Sequence, residues 1–311
     1  MNVSKNQATP IYKINTLSDY LGINLFVKRD DLYPISGGGN KGRKIQYILN
    51  QASTSIYNAV VTCGGAQSNH VRATAIKCRE LGIDCTIVIH APEPLAIEGN
   101  YLLLKHLGVR IIHCEMSDVS KVMNIEMERF ISNGQVPLYI WGGGHSVEGS
   151  LAYLDAVKEV SLQLPNLEID YLVHASGTGT TQAGLVCGCA IHYPKCEVIG
   201  ISVARDNPKG TAVIKESVSE LCLHMNLPTN YTERVNFQDT YHCGGYEKTT
   251  PALLSLIKNI AKSSGLLLDS TYTGKAFLGL VENINSGKIP KGSTVVFLHT
   301  GGLLNLLSKD K

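Results

Sequence analysis

The chain lacks the short signatures that assign many proteins at sight. Its nine cysteines include no C-x-x-C pair, and their number is odd; a disulfide framework and a thiolate metal site are therefore not expected. Its ten histidines include no H-E-x-x-H pair, so no metal is expected. No run of about 18 apolar residues is present, which excludes a membrane-spanning helix. The opening MNVSKNQATP has no basic stretch followed by an apolar core, so no secretory signal is expected. Neither sign of charge is in excess: the formal net charge is +2 over 311 residues, which gives no reason to expect nucleic acid or a membrane surface as a partner. Internal repeats and low-complexity linkers are missing as well. Most cysteines sit in apolar or helical runs, such as Cys63 in NAVVTCGG and Cys85 in DCTIVIH. They read as reduced core thiols of a cytosolic protein.

What is present is an ordinary globular composition, 44% apolar and 17% charged, on a chain long enough for two lobes. Short apolar runs alternate with longer helical patterns. Strands are expected at 24–30, 58–64, 84–90 and 110–115, from 137, from 170, at 197–203 and from 293. Helices are expected at 68–82, 147–164, 180–193 and 251–265, the first stopping at Gly82 as a helix end should. This alternation predicts an α/β fold with parallel sheets flanked by helices. In such sheets ligands lie beyond the carboxyl ends of strands, where loops run into helix N-termini.

Several loops of that kind carry suggestive residues. Gly37-Gly38-Gly39-Asn40 precedes Lys41, which opens an apparent helix. Glycines there leave room for a planar ring, and a lysine that forms a Schiff base needs a partly desolvated site favouring its neutral form. Alone, the same lysine reads first as a surface residue beside Arg43 and Lys44; the glycines before it are what favour the site. Ser68-Asn69-His70 follows a strand and a Gly-Gly pair; it can cap a helix and also bind an anion or a phenolic oxygen. Gly177, Thr178, Gly179, Thr180 and Thr181 follow another strand, and their backbone N–H groups and hydroxyls suit a phosphate at a helix N-terminus. This loop has no P-loop lysine and fails the dinucleotide pattern. Tyr246 and Tyr272 lie in glycine-bearing loops, where a neighbouring cation would lower a phenol from about 10 and fit it for proton transfer. Thr300 ends the last strand before Gly301-Gly302. Together, the loops around Lys41, Asn69 and Gly179 read as a site for pyridoxal phosphate held on Lys41.

With those residues in view, the chain resembles the fold-type-II pyridoxal-phosphate enzymes (tryptophan synthase β-like), in particular the group of D-cysteine desulfhydrases and 1-aminocyclopropane-1-carboxylate (ACC) deaminases. The resemblance runs from about Thr9 to Gly302 in KRDDLYPISGGGNKGRKIQYIL, TCGGAQSNHVRATA, GTGTTQAG, LLLDSTYTGKAFLGL and VVFLHTGG. It implies a two-domain chain, with a large cofactor domain of 1–46 and 162–311 and a small domain of 47–161. It also implies a homodimer, a cytoplasmic location and a small amino-acid substrate. By position, Lys41 matches the Schiff-base lysine and Asn69 the asparagine beside the phenolic oxygen. Ser68 matches a carboxylate-binding serine with a possible part in proton transfer, and His70 stands in the same substrate loop. Residues 177–181 match the phosphate cup, Tyr246 and Tyr272 the two active-site tyrosines, and Thr300 the residue near the ring nitrogen. ACC deaminases carry glutamate after the second tyrosine; here Thr273 stands there, as in desulfhydrases, and joins the cofactor set. Gly244-Gly245-Tyr246-Glu247 and Ser270 depart from the common pattern. The expected activity is α,β-elimination on D-cysteine, giving pyruvate, ammonia and hydrogen sulfide. The alternatives are ACC deamination to 2-oxobutyrate and ammonia, and a pyridoxal-phosphate-binding protein without turnover.

Overall fold

The computed structural model describes residues 8–34 and 36–306. Its strands are β1 (Ile11–Lys13), β2 (Asn24–Arg29), β3 (Ala59–Gly64), β4 (Asp84–Ile89), β5 (Arg110–His113), β6 (Pro137–Ile140), β7 (Tyr171–Ser176), β8 (Glu197–Ser202), β9 (Asn236–Gln238) and β10 (Thr294–His299). Its helices are α1 (Asn15–Leu21), α2 (Gly39–Ile48), α3 (Gln51–Thr54), α4 (Asn69–Leu81), α5 (Gly99–Leu107), α6 (Val119–Ser132), α7 (Val147–Gln163), α8 (Thr180–His192), α9 (Lys209–Met225), α10 (Pro251–Ser264), α11 (Thr273–Asn285) and α12 (Leu303–Leu306).

The strands form two sheets. One runs β1-β2-β10-β7-β8-β9 and the other β5-β4-β3-β6. All pairings are parallel except β1 with β2 at the edge of the larger sheet. Every expected strand and helix is present. The antiparallel edge β1, the short β9 and helices α1, α3, α5, α6, α9, α11 and α12 are additions to the sequence reading.

The strands read as unbroken apolar runs because both faces are covered. In β10, Val296 and Leu298 join the cluster built with α7 and α8, while Val295 and Phe297 join the cluster built with α11. The smaller sheet behaves alike: Val60, Ile87 and Ile89 face α4 and α5, and Ala59, Val61 and Val88 face α6. The cysteines are free thiols, seven of them buried. No described helix is long and apolar enough to cross a membrane.

A buried ionic group fixes α2, the helix that bears Lys41. The Arg43 guanidinium grips Asp30 through Nε at 2.9 Å and Nη2 at 2.8 Å, and Glu159 of α7 through Nη1 at 2.9 Å. Lys28 also pairs with Glu159, and the Tyr153 hydroxyl donates to Asp30 at 2.7 Å. All of these side chains are buried. With the charges paired and the remaining lone pairs used, α2 is clamped between β2 and α7.

Candidate active site

The loops after β2, β3, β6, β7 and β10 meet beyond the carboxyl ends of the two sheets. Gly37, Gly38 and Gly39 all have positive φ (75°, 78° and 73°). A Cβ on Gly39 would lie 2.9 Å from the Thr300 carbonyl, so only glycine lets the two loops touch there. The contact is pinned by Asn40 N donating to Thr300 O at 2.8 Å.

Helix α2 then presents two amines one turn apart. Lys41 Nζ donates to Gly143 O at 3.0 Å, and burial lowers its pKa from 10.5 to about 8. Lys44 is buried and donates to the Thr180 hydroxyl. Burial first, and the Lys41 charge second, hold it well below the usual lysine range. Lys44 forms no ion pair among the described residues. The sequence reading passed over it, although the i, i+3 spacing from Lys41 puts both on one helix face.

At the head of α4, Ser68 is the N-cap and accepts from His70 N at 3.2 Å. Asn69 Oδ1 accepts from Arg72 Nη1 and from Asn100 Nδ2, each at 2.9 Å. Its carbonyl edge is thus occupied, and its N–H edge is the one left for the cleft. His70 is buried against Thr62 of β3, with Nε2 to Oγ1 at 2.7 Å. Thr62 donates its own proton to Ile140 O at 2.8 Å, which assigns the His70 proton to Nε2. Burial, then the charges of Lys41 and Lys44, keep this imidazole well below the usual range and neutral.

The third loop leads into α8. Gly179 has φ 101°, and no side chain caps the helix, so the first N–H groups face outward unpaired. Thr180 and Thr181 are buried, and Asn40 Nδ2 reaches Thr181 Oγ1 at 3.5 Å. The Thr178 side chain packs on Gly143, where a Cβ would come within 2.6 Å of its methyl. Gly177 O accepts from Arg205 at 3.1 Å.

Tyr246 and Tyr272 meet hydroxyl to hydroxyl at 2.5 Å, their rings edge to face at 6.0 Å. Among the described residues no cation lowers either phenol. Desolvation of the hydroxyl end pushes Tyr246 up to about 12, although 40% of the residue is exposed, and burial holds Tyr272 well above the ordinary value. Lys275 donates to Gly245 O at 2.7 Å and Val203 O at 3.2 Å, which secures the Tyr246 loop. Thr273 is fully buried and donates to Asp269 Oδ1 at 2.7 Å. The same carboxylate takes the backbone N–H groups of Thr271, Tyr272 and Thr273, which caps α11 and sets the angle of Tyr272.

Between these loops lies a cavity of about 220 Å³ bordered by Lys41, Asn69, Arg72 and Thr300 and closed by the two glycine turns. A narrower cleft joins Asn40, Lys41, Asn69, Tyr272 and Thr300. The chain matches the family described as "Pyridoxal-phosphate dependent enzyme" over residues 4–301.

The chain belongs to this pyridoxal-phosphate dependent enzyme family.

Its cofactor is accordingly pyridoxal phosphate, and its fold is that of the fold-type-II enzymes. It is 36% identical over 300 residues to a protein of Pyrococcus abyssi (strain GE5 / Orsay) named "Putative 1-aminocyclopropane-1-carboxylate deaminase", covering 95% of this chain and 89% of that one. It is 32% identical over 302 residues to a D-cysteine desulfhydrase of Yersinia pestis (strain Pestoides F), covering 95% and 91%. A crystal structure described as an ACC deaminase homologue superposes with a TM-score of 0.87 at 33% identity, covering 95% of this chain and 89% of that one.

The residues present fit this cofactor. A doubly charged phosphate needs a cation and several donors; Lys44, whose buried amine such an anion would return to the charged form, Thr180, Thr181 and the uncapped N-terminus of α8 are grouped accordingly. A ring needs flat, side-chain-free walls, which Gly39 and Gly301 supply where they meet across the cavity floor. Lys41 and Asn69 stand on the rim with a depressed amine and an oriented amide.

Proposed function

We propose that this pyridoxal-phosphate enzyme is a lyase of the D-cysteine desulfhydrase type, removing hydrogen sulfide from D-cysteine and releasing pyruvate and ammonia. The cofactor supplies the electron sink, and the protein supplies orientation and proton transfer. In this reading Lys41 holds the cofactor covalently, and its amine, at about 8, gives and takes a proton near neutral pH. Asn69 faces the ring oxygen and Thr300 the ring nitrogen, with Thr273 behind it through Asp269. Residues 177–181 hold the phosphate together with Lys44. Ser68, with Asn69 and His70 in the same turn, receives the substrate carboxylate at the head of α4. The paired hydroxyls of Tyr246 and Tyr272 pass a proton between the substrate and the cleft mouth. Raised phenol values keep both hydroxyls protonated at neutral pH, so they act as hydrogen-bond donors to a departing thiolate rather than as strong acids.

The observation that carries the choice is Thr273. A glutamate at this position places a carboxylate near the ring nitrogen in ACC deaminases; here a hydroxyl stands there, already hydrogen-bonded to Asp269. A weaker electron sink suffices to expel a good leaving group but not to open a cyclopropane. The deaminase reading is the second one, supported by the name of the Pyrococcus abyssi relative. Incubation with D-cysteine, L-cysteine, D-serine, β-chloro-D-alanine and ACC, with keto-acid assay, separates the two. Pyruvate from D-cysteine is expected to exceed 2-oxobutyrate from ACC; comparable rates would overturn the choice.

The same reading implies a cytoplasmic homodimer; light scattering on the purified protein checks the dimer, and cell fractionation the location. It divides the chain into a lobe of 1–46 with 162–311 and a lobe of 47–161. α7 then bridges the two, since Tyr153 and Val157 pack into the cluster of α8 and β8.

A further inference from the structure

Arg72 lies one turn into α4 and is 4% exposed. Among the described residues it forms no ion pair. Its guanidinium is spent on neutral oxygens instead. Nη1 donates to Asn69 Oδ1 at 2.9 Å and Asn100 Oδ1 at 3.1 Å, and Nη2 to Gly37 O at 3.1 Å and Gly38 O at 3.3 Å. Nε has no partner. A buried cation without a counter-ion is expensive, and here burial alone lowers it to about 10, so it stays charged at neutral pH. This unbalanced charge borders the same cavity as Lys41 and Asn69. The fold has thus placed on the cavity wall a positive charge that no carboxylate among the described residues pairs.

We propose that Arg72 is a positioning residue that works through Asn69: it turns the Asn69 amide so that its N–H edge faces the cleft, and its charge behind that amide holds the ring oxygen of the bound cofactor as the anion. The inference rests on the reading that Asn69 meets this oxygen. The polarity follows from the hydrogen bonds. With Oδ1 held by Arg72 and Asn100, Nδ2 is the atom left to donate, and a cation on the carbonyl side draws electron density from it and strengthens that donation. A ring oxygen whose charge is drawn toward Asn69 and the Arg72 cation shares less with the proton of the neighbouring linkage to Lys41, and the added positive charge lowers that linkage's pKa further. The other charged or titratable groups around the site are Asp31 on the loop after β2, which is paired with Arg29 and faces His299 at 3.5 Å, Lys41 and Lys44 on α2, His70 on α4, Tyr272 in the same cleft and bonded to Tyr246, and Asp269 against the Gly302 turn, bonded to Thr273. None of them bonds to Asn69.

The test is the absorbance pH titration of the loaded enzyme, which reads the apparent pKa of the cofactor linkage and needs no turnover. Arg72→Met is expected to raise that pKa by about one unit, the effect of losing one charge at this range, and Arg72→Lys to restore most of it. In an Asn69→Ala background, which itself raises the value, Arg72→Met should add nothing. If Arg72→Met does not fold, the polar, neutral Arg72→Gln takes its place. A purely structural role in holding the Gly37 and Gly38 carbonyls would lower cofactor affinity and leave the pKa unmoved. So an unchanged pKa in Arg72→Met or Arg72→Gln, with the Asn69→Ala shift intact, overturns the proposal and leaves the Asn69 reading standing. An unchanged pKa in Asn69→Ala removes the Asn69 reading and the proposal with it.

Discussion

The depressed Lys41 amine can be measured directly in the cofactor-free protein. Burial lowers it from 10.5 to about 8, a difference of about 3 kcal/mol between its charged and neutral forms. At pH 7.5 an ordinary lysine is neutral in about one molecule in a thousand, and Lys41 in roughly one in four, so its nucleophilic form is enriched more than a hundredfold. Competitive acetylation with trace acetic anhydride, followed by fragment mass spectrometry to separate Lys41 from Lys44, gives the labelling rate of each amine against pH. The Lys41 rate should level off above about 8.5, while surface lysines continue to gain about tenfold per unit. The same shift has a stability consequence with a definite sign. Between about 8 and about 10.5 the unfolded chain carries a proton on this amine that the folded chain has lost, so the cofactor-free protein should gain up to about 3 kcal/mol across that window as pH rises. Replacing Lys41 by Met should flatten that segment of the stability curve. Labelling that rises through pH 10 in step with surface lysines would refute the reasoning and leave Lys41 an ordinary amine.

Other consequences are equally direct. Gly179→Val puts a Cβ 3.3 Å from Ile214 at φ 101°, a strain of about 1–3 kcal/mol; a folded protein without bound cofactor is expected, and normal cofactor content would remove this loop from the phosphate role. Tyr272→Phe keeps the edge-to-face ring packing and loses the hydroxyl bonded to Tyr246, so cofactor content should persist while turnover falls by about 10²–10⁴, and an unchanged rate would make Tyr272 a packing residue. Arg43→Met leaves Asp30 and Glu159 buried without their shared cation, and denaturant melts should show a loss of about 3–5 kcal/mol. Thr273→Glu sets a second carboxylate beside the buried Asp269; the variant should be destabilised at neutral pH and recover as the pH falls, and a melting temperature equal to that of the parent would contradict this.

The sequence alone determined the central strands, the helices with clear caps and the loops that matter, while β1, β9 and helices such as α6 and α11 were not legible in it. Strands such as AVVTCG and TVVFLH are legible because a strand covered on both faces must be apolar throughout, and helices such as α4 because their caps, Ser68 and Gly82, are local. The three glycines before Lys41 signalled a close approach for the same local reason. The tertiary structure alone decided which side chains answer one another. Lys44 gained meaning only when α2 brought it to Thr180, 136 residues away. Thr273 was marked by the residue it replaces, but its hydroxyl turns to Asp269. The tyrosines were marked as separate loops, and their hydroxyl pair depends on the Asp269 cap of α11 and on Lys275 holding the Gly245 carbonyl. Arg72 reads in sequence as one more helix arginine; only folding shows that it is buried and forms no ion pair among the described residues. Burial and charge balance are sums over neighbours contributed by distant segments, and no local pattern of residues contains them.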